Sequence, residues 1–201
     1  MKYLLLIFLS TSYILVFSQE KETPPFDLGF EVQAYPTGII LGTRFEKGIT
    51  LKDAIHIRIG YNLINHRDLG EHDEEKGGGA GLTIGYRHYF KPAMHGFLIG
   101  ARSDFWFSSI DWKDETDLGE VSGTTEITVI QPTLEIGYTF LLSNDYWVIT
   151  PSLAFGYEIN VKSDPPSSYS DIEVADWNSN NGENVGEGAI ILLGISACYR
   201  F

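Results

Sequence analysis

Eight segments that alternate apolar and polar residues predict an all-β fold, an eight-stranded antiparallel up-and-down transmembrane β-barrel. Two further observations point the same way. The connections alternate short and long, and each segment carries a glycine on its polar side. The chain has 201 residues, which suits one domain. Its formal net charge is −13, which excludes nucleic acid as a partner, because phosphate contacts need clustered Lys and Arg.

The N-terminus reads as an export signal over residues 1–18, leaving a barrel domain over 19–201. Lys2 supplies a positive start, residues 3–17 are almost continuously apolar, and Val16-Phe17-Ser18 resembles a cleavage site. The run is shorter than the ~20 residues of a membrane helix. The alternative is an uncleaved anchor. No Cys follows the run, so lipoprotein processing is not expected. The sole cysteine, Cys198, cannot form an internal disulfide or a Cys-based zinc site.

The period-two segments lie near 26–35, 38–47, 53–63, 79–90, 95–109, 126–140, 145–160 and 187–201. Each reaches the ~9–11 residues that cross a bilayer at a tilt. Connections at 35–38, 47–52, 91–94 and 142–144 are short, whereas those at 65–78, 110–125 and 161–186 are long. From the second strand onward, short turns therefore share one rim and long loops the other. The first loop on the long-loop rim is unusually short.

Alternation does not say which face points outward. A soluble lipocalin-like barrel would place the apolar face inside. Glycines decide against it. Gly29, Gly42, Gly60, Gly85, Gly100, Gly137, Gly156 and Gly194 all fall on the polar face, where a narrow interior needs small residues. Aromatic placement agrees. Phe26, Phe45, Phe90, Phe97, Phe140, Trp147 and Phe201 lie on the apolar face near the short-turn rim. Tyr61, Phe105, Phe107, Phe155 and Tyr157 lie on the same face near the other rim. Two aromatic rings flanking Leu, Ile and Val form the girdles of a lipid-facing wall.

The chain closes on Ala197-Cys198-Tyr199-Arg200-Phe201, with Ile191, Leu193, Ile195, Ala197 and Tyr199 at alternate positions before Phe201. This terminus resembles that of bacterial outer-membrane β-barrels. With the signal and strand count, the chain is similar to the small barrels of outer membrane protein A and X type, in the porin family of β-barrel domains. The resemblance implies a multi-pass outer-membrane location. It also implies that Tyr199 and Phe201 form the assembly signal read by the barrel-assembly machinery. The expected partners are outer-membrane lipid and lipopolysaccharide, and a monomer is expected.

The polar face carries six acids, Asp27, Glu31, Glu46, Asp104, Glu135 and Glu158. It also carries five arginines, Arg44, Arg58, Arg87, Arg102 and Arg200, with His56, Gln33, Tyr89 and Trp106. Unpaired buried charges are costly, so these are expected to interlock and plug the lumen. The alternative is a narrow, low-conductance pore.

Some small outer-membrane barrels act on lipid A, which needs a Ser, a His and an acid brought together. His56, His66, His72, His88 and His95 do not fall beside a serine in a convincing triad, so no enzyme is expected and no catalytic residue is assigned. No cofactor or metal is expected either. The acidic stretches 67–76 and 111–120 lack the spacing of a calcium loop. A weaker expectation is that they share the divalent ions bridging lipopolysaccharide phosphates. Trp112 and Trp177, placed on loops, are candidate anchors for a partner.

Overall fold

The computed structural model describes residues 24–65, 72–116, 119–143, 145–165 and 187–201. The signal segment, His66 and Trp177 lie outside them. The strands are β1 (Phe26–Tyr35), β2 (Gly38–Gly48), β3 (Asp53–Ile64), β4 (Glu74–Lys91), β5 (His95–Thr116), β6 (Gly119–Leu142), β7 (Trp147–Ser163) and β8 (Gly188–Arg200). Each pairs with its sequence neighbours, and β1 pairs antiparallel with β8 to close the barrel.

Three strands, β4, β5 and β6, run well beyond where the sequence pattern places them. β4 begins at Glu74, β5 continues to Thr116 and β6 starts at Gly119, so most of 110–125 is paired hairpin rather than loop. The alternation persists through this extension, but its outer side changes chemistry. On β5 the outward row passes from Phe107 to Ser109, Asp111, Lys113 and Glu115, while Ile110 and Trp112 stay buried inside. Charged outward residues mask a strand that the inward residues still mark. On β6, Val121, Thr124, Thr125, Ile127, Thr128 and Val129 supply the β-branched side chains that favour extended backbone.

The wall is inverted relative to a soluble barrel. Phe30 is 71% exposed, Leu134 70% and Phe201 69%, whereas Arg44, Arg58 and Arg87 are each 1% exposed. Glycines let the backbones and inward side chains approach. A Cβ at Gly85 would lie 2.4 Å from the His56 ring and 2.7 Å from Arg102 Cβ.

The interior is layered. Ala54, Tyr89, Met94 and Leu98 form an apolar floor at the short-turn end. Charges occupy the middle. A larger apolar layer, including Ile40, Ile64, Trp106, Ile110, Trp112 and Leu192, fills the long-loop end. The floor depends on an unusual turn. Ala93 and Met94 both adopt left-handed backbone, at φ 57° and 50°, and Met94 is fully buried. Arg200 stabilises that turn, donating from Nη1 to the Ala93 carbonyl at 2.7 Å and from Nη2 to the Met94 carbonyl at 3.2 Å.

Candidate functional site

The densest polar constellation is the charged middle of the interior. Alternation aims each member inward, and the registers stack them. Arg44 of β2 lies opposite Arg58 of β3, and Gly42 opposite Gly60, so bulky guanidinium groups alternate with spaces. Four acids and four arginines interlock there: Glu31, Glu46, Asp104 and Glu135 with Arg44, Arg58, Arg87 and Arg102.

Glu31 bridges two strands' arginines, receiving Arg44 Nη1 at 2.5 Å and Arg58 Nη1 at 2.8 Å. Arg58 also donates to Asp104 at 2.5 Å and to Thr83 at 3.0 Å, and its guanidinium lies 5.6 Å from the Trp106 ring centroid. Arg87 grips Glu135 with two bonds of 2.8 and 2.5 Å. Glu46 collects Arg44 at 2.7 Å, Arg87 at 3.3 Å and the Tyr89 hydroxyl at 2.6 Å. Paired forks of this kind satisfy both oxygens of a carboxylate.

Arg102 is held more loosely. Its carboxylate contacts are 3.3 Å to Asp104, 3.6 Å to Glu31 and 3.8 Å to Glu135, and it donates to Thr133 at 3.2 Å and Gln33 at 3.1 Å. Asp27 and Arg200 stand apart at the short-turn end as a two-bond pair, both bonds 2.7 Å. Glu158 lies near the other end, half-buried, and accepts a hydrogen bond from Gln131. Thr83, Thr133 and Gln131 are not legible as partners from the sequence alone. Neutral polar residues on an inward row carry no signal until the register shows which arginine they face.

Among the described residues, His56, His72 and His88 lie in separate parts of the barrel. His56 is buried in the charged layer, and neither ring nitrogen has a hydrogen-bond partner among the described residues. His88 Nδ1 lies 2.8 Å from Asp53 on the outside of the short-turn rim, beside Phe90. His72 Nδ1 lies 2.8 Å from Asp114 at the opposite end. No serine hydroxyl bonds to these three rings among the described residues. Nor does any group of three His, Cys, Asp or Glu side chains among them converge as for a metal ion.

Trp112 is not an exposed anchor. It is 2% exposed, stacks on His72 with centroids 4.0 Å apart, and donates from Nε1 to Thr125 at 3.2 Å. It faces inward because the strand continues through it. Outside, Glu120 accepts a bond of 2.9 Å from Lys113, which holds that ammonium above its ordinary range. Tyr199 and Phe201 sit on the outer wall, their rings edge-to-face at 5.0 Å.

No protein-family model matches the chain, and no curated protein is significantly similar to it. Among solved structures, it is similar to the N-terminal β-barrel domain of Pseudomonas aeruginosa OprF, at 13% identity and a TM-score of 0.40, over 89% of this chain and 98% of that one.

Proposed function

We propose that this chain is a non-enzymatic, integral, multi-pass protein of the bacterial outer membrane, with a closed interior and a structural or surface-interacting role. The observation that carries this reading is the inverted wall. Aliphatic and aromatic side chains cover the outside, and paired charges fill the inside. Water surrounding such a wall would leave an apolar surface far larger than soluble monomers expose, whereas lipid suits it and the closed ring leaves no strand edge within the bilayer. β1, β2 and β3, at 10, 11 and 12 residues, match the length of a tilted crossing. The polar outer surface of the β5–β6 extension suits water beyond the membrane.

In this reading residues 1–18 direct export and are removed, leaving 19–201 as the barrel domain. The barrel-assembly machinery reads Tyr199 and Phe201, and the monomeric barrel meets outer-membrane lipid and lipopolysaccharide. The two apolar layers flanking the charges weigh against a narrow channel, because an ion would have to cross both.

The test is fractionation followed by electrophoresis with and without boiling. The protein is expected in the outer-membrane fraction, released only by detergent, with heat-dependent migration. Free solubility without detergent would contradict the reading. Planar-bilayer recording is expected to show no channel events at high protein load.

A further inference from the structure

The seam between β6 and β7 is broken twice, and each break contains a proline. Register pairs are missing between Ile130↔Ile159 and Thr133↔Gly156, where Pro132 faces Tyr157. They are missing again between Gly137↔Ser152 and Phe140↔Ile149, where Pro151 faces Tyr138. The direction of the backbone makes these prolines costly. The Glu126 carbonyl accepts the Asp164 N–H at 2.8 Å, so Glu126 turns its backbone groups toward β7. β6 pairs with β5 without a register shift, so Pro132, six residues on, turns the same way. Proline has no N–H to donate. The Tyr157 carbonyl therefore receives no ladder bond from across the seam.

Outside this upper break the wall carries a shallow dent, open to the surroundings, of about 580 Å³. Its floor is made of small outward side chains, Ala101, Ser103 and Pro132, and its sides are Leu134, Phe155 and Tyr157. The lining is predominantly apolar. Phe155 and Tyr157 belong to the aromatic ring near the long-loop rim, and the apolar lining offers the carbonyl no donor of its own, so the acceptor is left costly. The complement to this dent is an apolar chain that brings its own hydrogen-bond donor.

We propose that the dent seats an acyl chain bearing a hydroxyl group, the hydroxyl donating to the Tyr157 carbonyl. The proposal rests on the membrane reading above. Shape selects the chain, and the missing proline N–H selects the hydroxyl.

The test is native mass spectrometry of the full-length mature protein in detergent micelles, with 3-hydroxymyristic acid and myristic acid as probes. The hydroxylated acid is expected to be retained about tenfold better, the value of one well-made hydrogen bond. Pro132→Val supplies the missing N–H and should bring the two acids to equal retention. Ala101→Phe fills the dent from β5, leaves the seam untouched, and should lower retention of both acids at least about fivefold. Equal retention by the native chain, a preference that survives Pro132→Val, or binding untouched by Ala101→Phe would each overturn the proposal. A protein that stays folded and soluble without detergent would instead defeat the membrane reading, so the two failures are distinguishable.

Discussion

Arg58 and Ile59 are consecutive in β3, yet Arg58 is 1% exposed and Ile59 is 61% exposed. In a soluble barrel the two would trade places. Arg58 is buried because Glu31, Asp104 and Thr83 meet every face of its guanidinium that matters. Ile59 lies among Ile57, Tyr61, Leu82 and Ile84, all outward and apolar. The inner face gains its stability from pairing, and the outer face gains its stability from the solvent it meets. Substitutions on the two faces should therefore fail for different reasons.

The largest effect is expected inside. Arg87→Leu leaves Glu135 without its closest cation and Glu46 with Arg44 alone, and should cost about 3–5 kcal/mol, measured by urea unfolding in lipid vesicles. Removing Glu135 together with Arg87 should cost less than Arg87→Leu alone, because the orphaned charge goes too. A double mutant that loses more than the single would break the pairing account. Met94→Ala, which empties the centre of the apolar floor, should cost about 2–4 kcal/mol.

Outside, Leu134→Arg puts a charge on the apolar outer wall and, if that wall meets lipid as proposed, should cost about 2–4 kcal/mol in vesicles. The same change at Ser109, on the outward row of the extension, should stay within about 0.5 kcal/mol. Equal responses at the two sites would remove the boundary drawn between Phe107 and Ser109. The smallest effect is a gain. Pro132→Val restores a donor to the β6–β7 seam and should stabilise by about 1 kcal/mol in the same assay.

How far the sequence reveals this molecule follows from what period two can and cannot encode. Arg44, Arg58, Arg87 and Arg102 stand on inward rows defined by strict alternation, so their shared layer is legible before any coordinates. Met94 is not legible. Its burial requires left-handed backbone at two non-glycine residues, and nothing in Lys91-Pro92-Ala93-Met94 announces that. Trp112 is hidden by Asp111 and Lys113, whose charges suggest a loop although they lie on the solvent side of a continuing strand. The upper apolar layer escapes notice for a related reason. Ile40 and Ile190 stand on rows that read as polar from their other members, and Ile110 falls in a stretch that reads as a loop. The seam breaks at Pro132 and Pro151 become visible only when the register sets each proline within a gap in the β6–β7 pairing.

If lipid rather than water completes the outer wall, as proposed, the chain should fold only where lipid is supplied. Refolding the mature chain from urea into phosphatidylcholine vesicles, beside the same dilution into lipid-free buffer, tests it most directly. With lipid, circular dichroism should report β-sheet and the barrel should resist trypsin. Without lipid, the chain should aggregate or remain digestible. A soluble, trypsin-resistant β-fold in lipid-free buffer would contradict the account.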